Sequence, residues 1–262
     1  MAQALENAEH AQLGDIVAEL EAKSAHFQQL LAREAVADLS REQLRFVLRS
    51  VFATRRKAEA IIEVMGAGQL RAASGELLYG AGATPQRFQE FVDALSGFMG
   101  DVRLSPKVLP GQENADLPEN TLCDLASELL HFTAPEDYWL WTRWMWDPRT
   151  GTGALPLVTM DGHDLHGATA GETYMKVGMA TAFVRATGEA AGFAKFGANN
   201  SPFGIDVFLS CVYAVYMYTT LRIRMTQEFN KVVPQLPELS RRLLGVWKSN
   251  FKTQTSNSQF EV

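Results

Sequence analysis

Apolar residues recur every three or four positions near the start of the chain, with polar residues and alanines between them. The residues of this first stripe are Leu13, Ile16, Leu20, Phe27 and Leu30. Such spacing places the apolar side chains on one face of an α-helix, which we expect to end near Ala37. A stripe of this length can also serve as a surface for a partner helix.

The next apolar stretch predicts a second helix. Ser40 and Gln43 have the spacing of a capping box, in which the serine oxygen accepts from a backbone N–H and the glutamine side chain reaches back. The apolar face that follows continues to Met65, where glycines favour a helix end. We therefore expect one continuous helix from Ser40 to Met65.

The rest of the pattern predicts more helices and one β element. Helical spacing or capping residues mark segments near 69–79, 84–99, 121–132, 169–193, 201–233 and 238–248. Thr133 and Glu136 have capping-box spacing before a tryptophan-rich stretch, for which we expect another helix through Trp146. Asp161 and Gly162 favour a two-residue turn, so we predict a small β-hairpin near residues 157–166.

Together these elements predict an all-α fold, a multi-helix bundle with one small β-hairpin. Residues 101–118 contain three prolines and no periodicity, so we interpret them as a connector. We predict an N-terminal helical region over residues 1–100 and a C-terminal helical bundle over residues 119–250. A flexible tail would then occupy residues 251–262.

Composition and charge narrow the compartment and the partners. The chain has 262 residues, 47% hydrophobic and 21% charged, which is typical of a globular protein, and its net charge of −6 disfavours nucleic acid as a partner. Cys123 and Cys211 both lie in apolar patterns, and no signal-peptide pattern is visible, so we predict a cytoplasmic protein. Residues 205–221 include Asp206 and Ser210, which favours a buried helix over a membrane span.

Four of the five tryptophans fall within eight residues: Trp139, Trp141, Trp144 and Trp146. On a helix they would lie on opposite faces and leave no face for solvent. Three interpretations follow: a buried core, an interface with another protein, or a platform for a small molecule or a base. The pattern favours the core among them.

A polar cluster lies in the predicted hairpin. Its members are Asp161, His163, Asp164 and His166, and Arg143 is a further candidate from the tryptophan-rich stretch. Imidazoles and carboxylates can bind a metal or a ligand, or can move protons near neutral pH. The spacing matches no closed zinc site, and on a strand the two histidines would point to opposite faces. The pattern therefore favours a surface hairpin, with a ligand or catalytic site as the alternative.

Two further features are weaker. Glu128 and His131 lie one helical turn apart, which is half of a di-metal site, but the sequence contains no second half. The stretch from Arg45 to Lys57 is basic and could contact phosphates, but nearby glutamates such as Glu59 can pair with it. We therefore predict no metal site.

The sequence contains no nucleophile motif, no dinucleotide-binding glycine pattern and no paired CxxC motif. We expect a non-catalytic accessory or protein-interaction protein, oligomeric or part of a larger complex, with the first stripe and the tryptophans as the interface. The alternative is an enzyme or small-ligand-binding protein with a pocket between the tryptophan-rich helix and the hairpin. A second alternative is nucleic-acid binding through Arg45 to Lys57. The sequence identifies no cofactor and no substrate.

Overall fold

The computed structural model describes residues 2–98, 119–160, 162–190, 201–224 and 235–246. These residues form an all-α fold without a β-strand. The helices are α1 (Ala2–Leu30), α2 (Arg41–Ser50), α3 (Ala58–Met65), α4 (Ala67–Tyr79), α5 (Thr84–Ser96), α6 (Glu119–Thr133), α7 (Leu155–Val158), α8 (Ala170–Ala190), α9 (Gly204–Arg224) and α10 (Leu236–Leu243). A short 3₁₀ helix, Val36–Asp38, lies between α1 and α2.

The capping box at Ser40 is confirmed, but the continuous helix that we predicted after it is wrong. Ser40 Oγ accepts from the Gln43 backbone N–H at 3.2 Å, and Gln43 Oε1 accepts from the Ser40 N–H at 2.8 Å. The helix ends at Ser50, and the chain turns before α3 begins. Buried Thr54 stabilises this turn, since its hydroxyl donates to the Leu48 carbonyl at 2.6 Å.

The predicted β-hairpin is also wrong. The residues before the turn form the single helical turn of α7, which has a proline in its first turn. Gly162 does adopt a positive φ of 81°, and the His163 N–H donates to the Met160 carbonyl at 3.2 Å. The described flanking residues form no ladder, because the helical turn of α7 precedes this position. Asp161 lies outside the described residues.

The tryptophan-rich stretch is not the helix that we predicted. After α6 the chain reverses, and residues 138–143 run back along α6 without regular secondary structure. Polar side chains of α6 replace the missing helical hydrogen bonds. Ser127 Oγ accepts from the Trp141 N–H at 2.5 Å, and Asp124 Oδ1 accepts from the Arg143 N–H at 3.0 Å. These hydrogen bonds from side chains of α6 explain how a buried, irregular segment satisfies its backbone N–H groups.

The core is one apolar cluster that includes residues from both predicted regions. Helix α5 packs against α4, α6 and α8, and α1 packs against α6, α9 and α10. Phe88 of α5 stacks on Tyr174 of α8 with 4.6 Å between the ring centroids. The division into regions stays a prediction, and the predicted connector and tail lie outside the described residues. Among the helices described, none has both the length and the apolar character needed to cross a bilayer.

Candidate functional site

Four ionisable side chains meet in the core where α1, α6 and α9 pack together. Lys23 Nζ lies 2.7 Å from Glu128 Oε2, and His131 Nε2 lies 2.8 Å from Asp206 Oδ2. None of the four side chains exposes more than 3% of its surface. Helix α6 contributes both Glu128 and His131, which share a face because they are three residues apart.

Lys23 is fully buried and has several partners. Besides Glu128, its ammonium donates to the Leu244 carbonyl at 3.2 Å and lies 3.9 Å from the centroid of the Phe132 ring. Burial lowers the pKa of Lys23 and raises the pKa of Glu128, and the attraction between the two charges opposes both shifts. Removing either charge from water has an unfavourable free energy, and the attraction between the two charges offsets part of it.

His131 has a hydrogen-bond acceptor at each ring nitrogen. Nδ1 lies 2.8 Å from the Tyr138 carbonyl, and Nε2 faces the Asp206 carboxylate. A neutral imidazole has only one N–H, so both contacts are satisfied only when the His131 and Asp206 pair holds one more proton. Burial by itself lowers the pKa of His131, but the Asp206 charge and both hydrogen bonds raise it overall. Asp206 Oδ1 is buried without a hydrogen-bond partner among the described residues.

The arrangement of this cluster is that of two paired charges. Within the described residues, no group of three or more His, Cys, Asp or Glu side chains is arranged to bind a metal. The position that a cation would take beside Glu128 is occupied by the ammonium of Lys23. We interpret the cluster as a structural link between α1, α6 and α9.

Of the predicted ligand-binding residues, the structure describes four, and Asp161 lies outside the described part of the chain. His163, Asp164 and His166 are exposed, and Asp164 pairs with Lys176 at 3.6 Å. The His166 ring meets the Trp146 ring edge-on, with centroids 4.7 Å apart. Arg143 is held instead by an Asp124 oxygen at 2.9 Å.

Asp124 is itself a buried acid with a perturbed pKa. Burial raises the pKa of Asp124 to about 7, although the charge of Arg143 and its hydrogen bonds oppose this shift. The guanidinium of Arg143 thus pairs with the Asp124 carboxylate of α6 and is not directed at the exposed histidines.

The predicted interface residues lie mostly inside the chain. Ile16, Leu20 and Phe27 are buried, and Leu13 and Leu30 are partly buried against the same core. Their burial against α6 and the other helices leaves these side chains little surface to offer a partner.

The tryptophans are core residues for the most part. Trp141, Trp144 and Trp146 are buried, and Trp139 is half-buried. The Trp141 indole N–H donates to the Trp146 carbonyl at 3.0 Å, and that of Trp144 donates to the Leu243 carbonyl at 3.2 Å. These hydrogen bonds are what buried indoles require.

The basic stretch from Arg45 to Lys57 is not one helix, because α2 ends at Ser50. Arg45 pairs with Glu59 of α3, and its Nη2 lies 3.2 Å from Glu59 Oε2. The positive charge of this stretch is therefore partly neutralised across the turn between α2 and α3.

Helix α8 carries apolar residues on its outward face as well as on its buried face. Tyr174 and Val177 are buried, whereas Met175, Met179 and Phe183 point outward. These three residues are spaced by four, so they form a stripe on one helical face. Met179 is 62% exposed and Phe183 is 61% exposed. A surface helix normally carries polar residues at such outward positions.

Helix α9 also carries apolar residues on both its buried and its outer sides, and α7 links it to α8. Its buried side combines Val207 and Leu209 with the polar residues Asp206 and Ser210, and Val215 is exposed on its outer side. An open groove of about 460 Å³ is lined by Leu157, Phe208, Cys211, Val212, Val215, Tyr216 and Thr219. Leu157 belongs to α7, and α7 also contacts α8. We call the outward stripe of α8, this groove, Leu157 and Met160 the apolar surface.

Two parts of these sites escaped sequence reasoning. Lys23 lies between Leu20 and Phe27 on the first stripe, and a charge at that position is a signal for a buried partner. Helix α8 is apolar on both sides, so its sequence gives no indication of which face is outward.

Comparison of the chain with protein-family models, with curated proteins and with solved structures finds no significant match.

Proposed function

We propose that this chain is a non-catalytic protein-interaction protein that works through the apolar surface of α7, α8 and α9. The observation that carries the proposal is the outward stripe of Met175, Met179 and Phe183, together with the apolar groove on α9. Contiguous apolar patches of this kind mark interaction sites, because leaving them in water is unfavourable. A partner that covers the stripe would remove that cost.

The distribution of exposed side chains supports this proposal. Seven large apolar side chains are exposed in the part of the chain that the structure describes, and six of them come from α7, α8, α9 and the residue Met160. Scattered exposed apolar residues are ordinary, whereas a concentration on neighbouring helices is not. Methionine is common on surfaces that bind other proteins, since its unbranched side chain adapts to a partner.

A small apolar ligand in the groove is a second candidate. The groove volume of about 460 Å³ lies in the range of small-molecule sites. A ligand in the groove would leave the stripe of α8 uncovered, so a protein partner accounts for more of the surface. Nucleic-acid binding through Arg45 is less well supported, because Glu59 pairs with this residue.

The experiment is native mass spectrometry of the full chain purified from its source, with Met179→Glu as the test variant and Glu63→Gln, on the distant α3, as the control. We expect the native chain and the control in a stoichiometric assembly, with itself or with another protein. Met179→Glu should abolish the assembly while its far-ultraviolet circular dichroism spectrum stays the same, since this side chain is exposed in the single chain. Monomers throughout, without a partner, would refute the proposal. A cytoplasmic location stays part of the same proposal.

A further inference from the structure

We propose that the apolar surface binds a second copy of this chain, with the two α8 helices antiparallel about a two-fold axis at Met179. This inference rests on the proposed function and identifies the partner. A symmetric dimer needs one patch that complements itself. The outward stripe of α8 meets that requirement.

The spacing of the stripe supplies the complementarity. Met175 and Phe183 lie four residues before and after Met179. A two-fold axis at Met179 therefore places Met175 of each copy opposite Phe183 of the other. Contacts between a methionine sulfur and an aromatic ring are favourable, and the symmetry creates two of them.

The outward face also allows two helices to approach closely. Between Met175 and Ala186 the residues of α8 classed as exposed are apolar, and the two charged residues of this stretch, Lys176 and Arg185, are already paired with Asp164 and Glu189. Ala186 is exposed and small, and it continues the stripe beyond Phe183 by one turn. Small residues next to large ones let side chains from two helices interlock.

The exposed area is of the size that a dimer needs. Six side chains of the apolar surface are between 40% and 80% exposed: Leu157, Met160, Met175, Met179, Phe183 and Val215. Together they expose on the order of 700 Å², close to the ~800 Å² that each partner contributes to a standard interface. Helix α7 contacts α8, so a second copy that docks on the α8 stripe could also reach Leu157.

The first test is sedimentation velocity of the purified full chain, with Met179→Glu as the variant and Glu63→Gln as the control. We expect a dimer for the native chain and for the control. The variant places two carboxylates opposite each other at the axis, so its dimer dissociation constant should rise by at least about 100-fold.

A disulfide test locates the axis. In a Cys211→Ala background, which removes the thiol in the groove, Met179→Cys should cross-link two copies when oxidised with diamide. The control is Thr187→Cys, on the exposed side of the same helix. Eight residues from the axis in each copy separate the two control thiols by roughly 24 Å, at 1.5 Å per residue. A disulfide needs Cα atoms within about 7 Å, so the control should run as a monomer on a non-reducing denaturing gel.

The outcomes separate the two proposals. The purified chain could be monomeric and yet form a stoichiometric complex with another protein in the source. That result would refute the proposal that the partner is a second copy, and it would support the proposed function. A chain that is monomeric in both settings would overturn both. A dimer in which Thr187→Cys cross-links and Met179→Cys does not would overturn the two-fold axis at Met179.

Discussion

The buried ion pair between Lys23 and Glu128 leads to a prediction about stability. Replacing Lys23 with methionine keeps the length of the side chain and removes its charge. Glu128 would then remain buried without its partner, 2.7 Å from where the ammonium had been. We expect Lys23→Met to lower the free energy of unfolding by about 3 to 5 kcal/mol, the usual cost of an unpaired buried charge.

The magnitude follows from two opposing terms. Two charges at this separation attract by about 4 to 6 kcal/mol in a protein environment with an effective dielectric constant near 20. Desolvation costs several kcal/mol for each ion, so the intact pair contributes little net stability. Removing one charge cancels the attraction and retains the desolvation of Glu128.

A double variant separates these terms. Glu128→Gln removes the second charge, and its amide oxygen can still accept from the Phe52 backbone, which contacts Glu128 in the native chain. We expect the double variant to recover at least about 2 kcal/mol of the loss, which is a coupling typical of residues in direct contact.

The assay is urea unfolding at pH 7, with Lys176→Met as the matched control. Lys176 pairs with Asp164 at the surface, and both side chains are more than a third exposed. Loss of such a pair costs at most about 1 kcal/mol. Equal losses for Lys23→Met and Lys176→Met, or effects that simply add in the double variant, would refute this account of the core.

Four other predictions concern single residues. The pKa of His131 is raised in the folded chain. Protonated His131 therefore stabilises the folded chain fully below the ordinary pKa of 6.5, and this stabilisation is lost as the pH rises through the raised pKa. His131→Gln should flatten this part of a plot of the free energy of unfolding against pH. A Cβ on Gly171 would collide with the Pro85 carbonyl, so Gly171→Ala should cost about 1 to 3 kcal/mol in urea unfolding. Gly14, in α1, has nothing near it, so Gly14→Ala should stabilise by about 0.5 to 1 kcal/mol, and the opposite order would contradict the packing of α5 on α8. Burial raises the pKa of Cys123 to about 12, so in a Cys211→Ala background iodoacetamide should label the chain only in urea, and rapid labelling of the folded variant would count against the burial of Cys123.

The all-α class could be predicted from periodicity, but contacts between distant helices could not. The spacing of Glu128 and His131 put both on one face of α6. Their partners Lys23 and Asp206 lie 105 and 75 residues away, and nothing local indicates which helix supplies them. Glu128 and His131, which the sequence suggested as half of a metal site, are therefore each one member of a separate ion pair.

The tryptophan-rich segment shows a second limit of periodicity. A capping pattern at Thr133 and Glu136 indicated a helix, since local hydrogen bonds are the usual solution for a buried backbone. Here Ser127 and Asp124 supply those bonds from the neighbouring helix. Support of this kind depends on two segments that meet only in the fold.

The contact between Lys23 and the Leu244 carbonyl has a consequence for the nascent chain. The two residues are 221 positions apart. At synthesis rates of about 5 to 20 residues per second, Leu244 is therefore added roughly 10 to 45 seconds after Lys23. Glu128 arrives earlier, but the ammonium stays partly hydrated until the segment after α10 covers it. Helix α1 therefore reaches its final environment late, and ribosome-bound chains that stop short of Leu244 should leave α1 open to proteolysis.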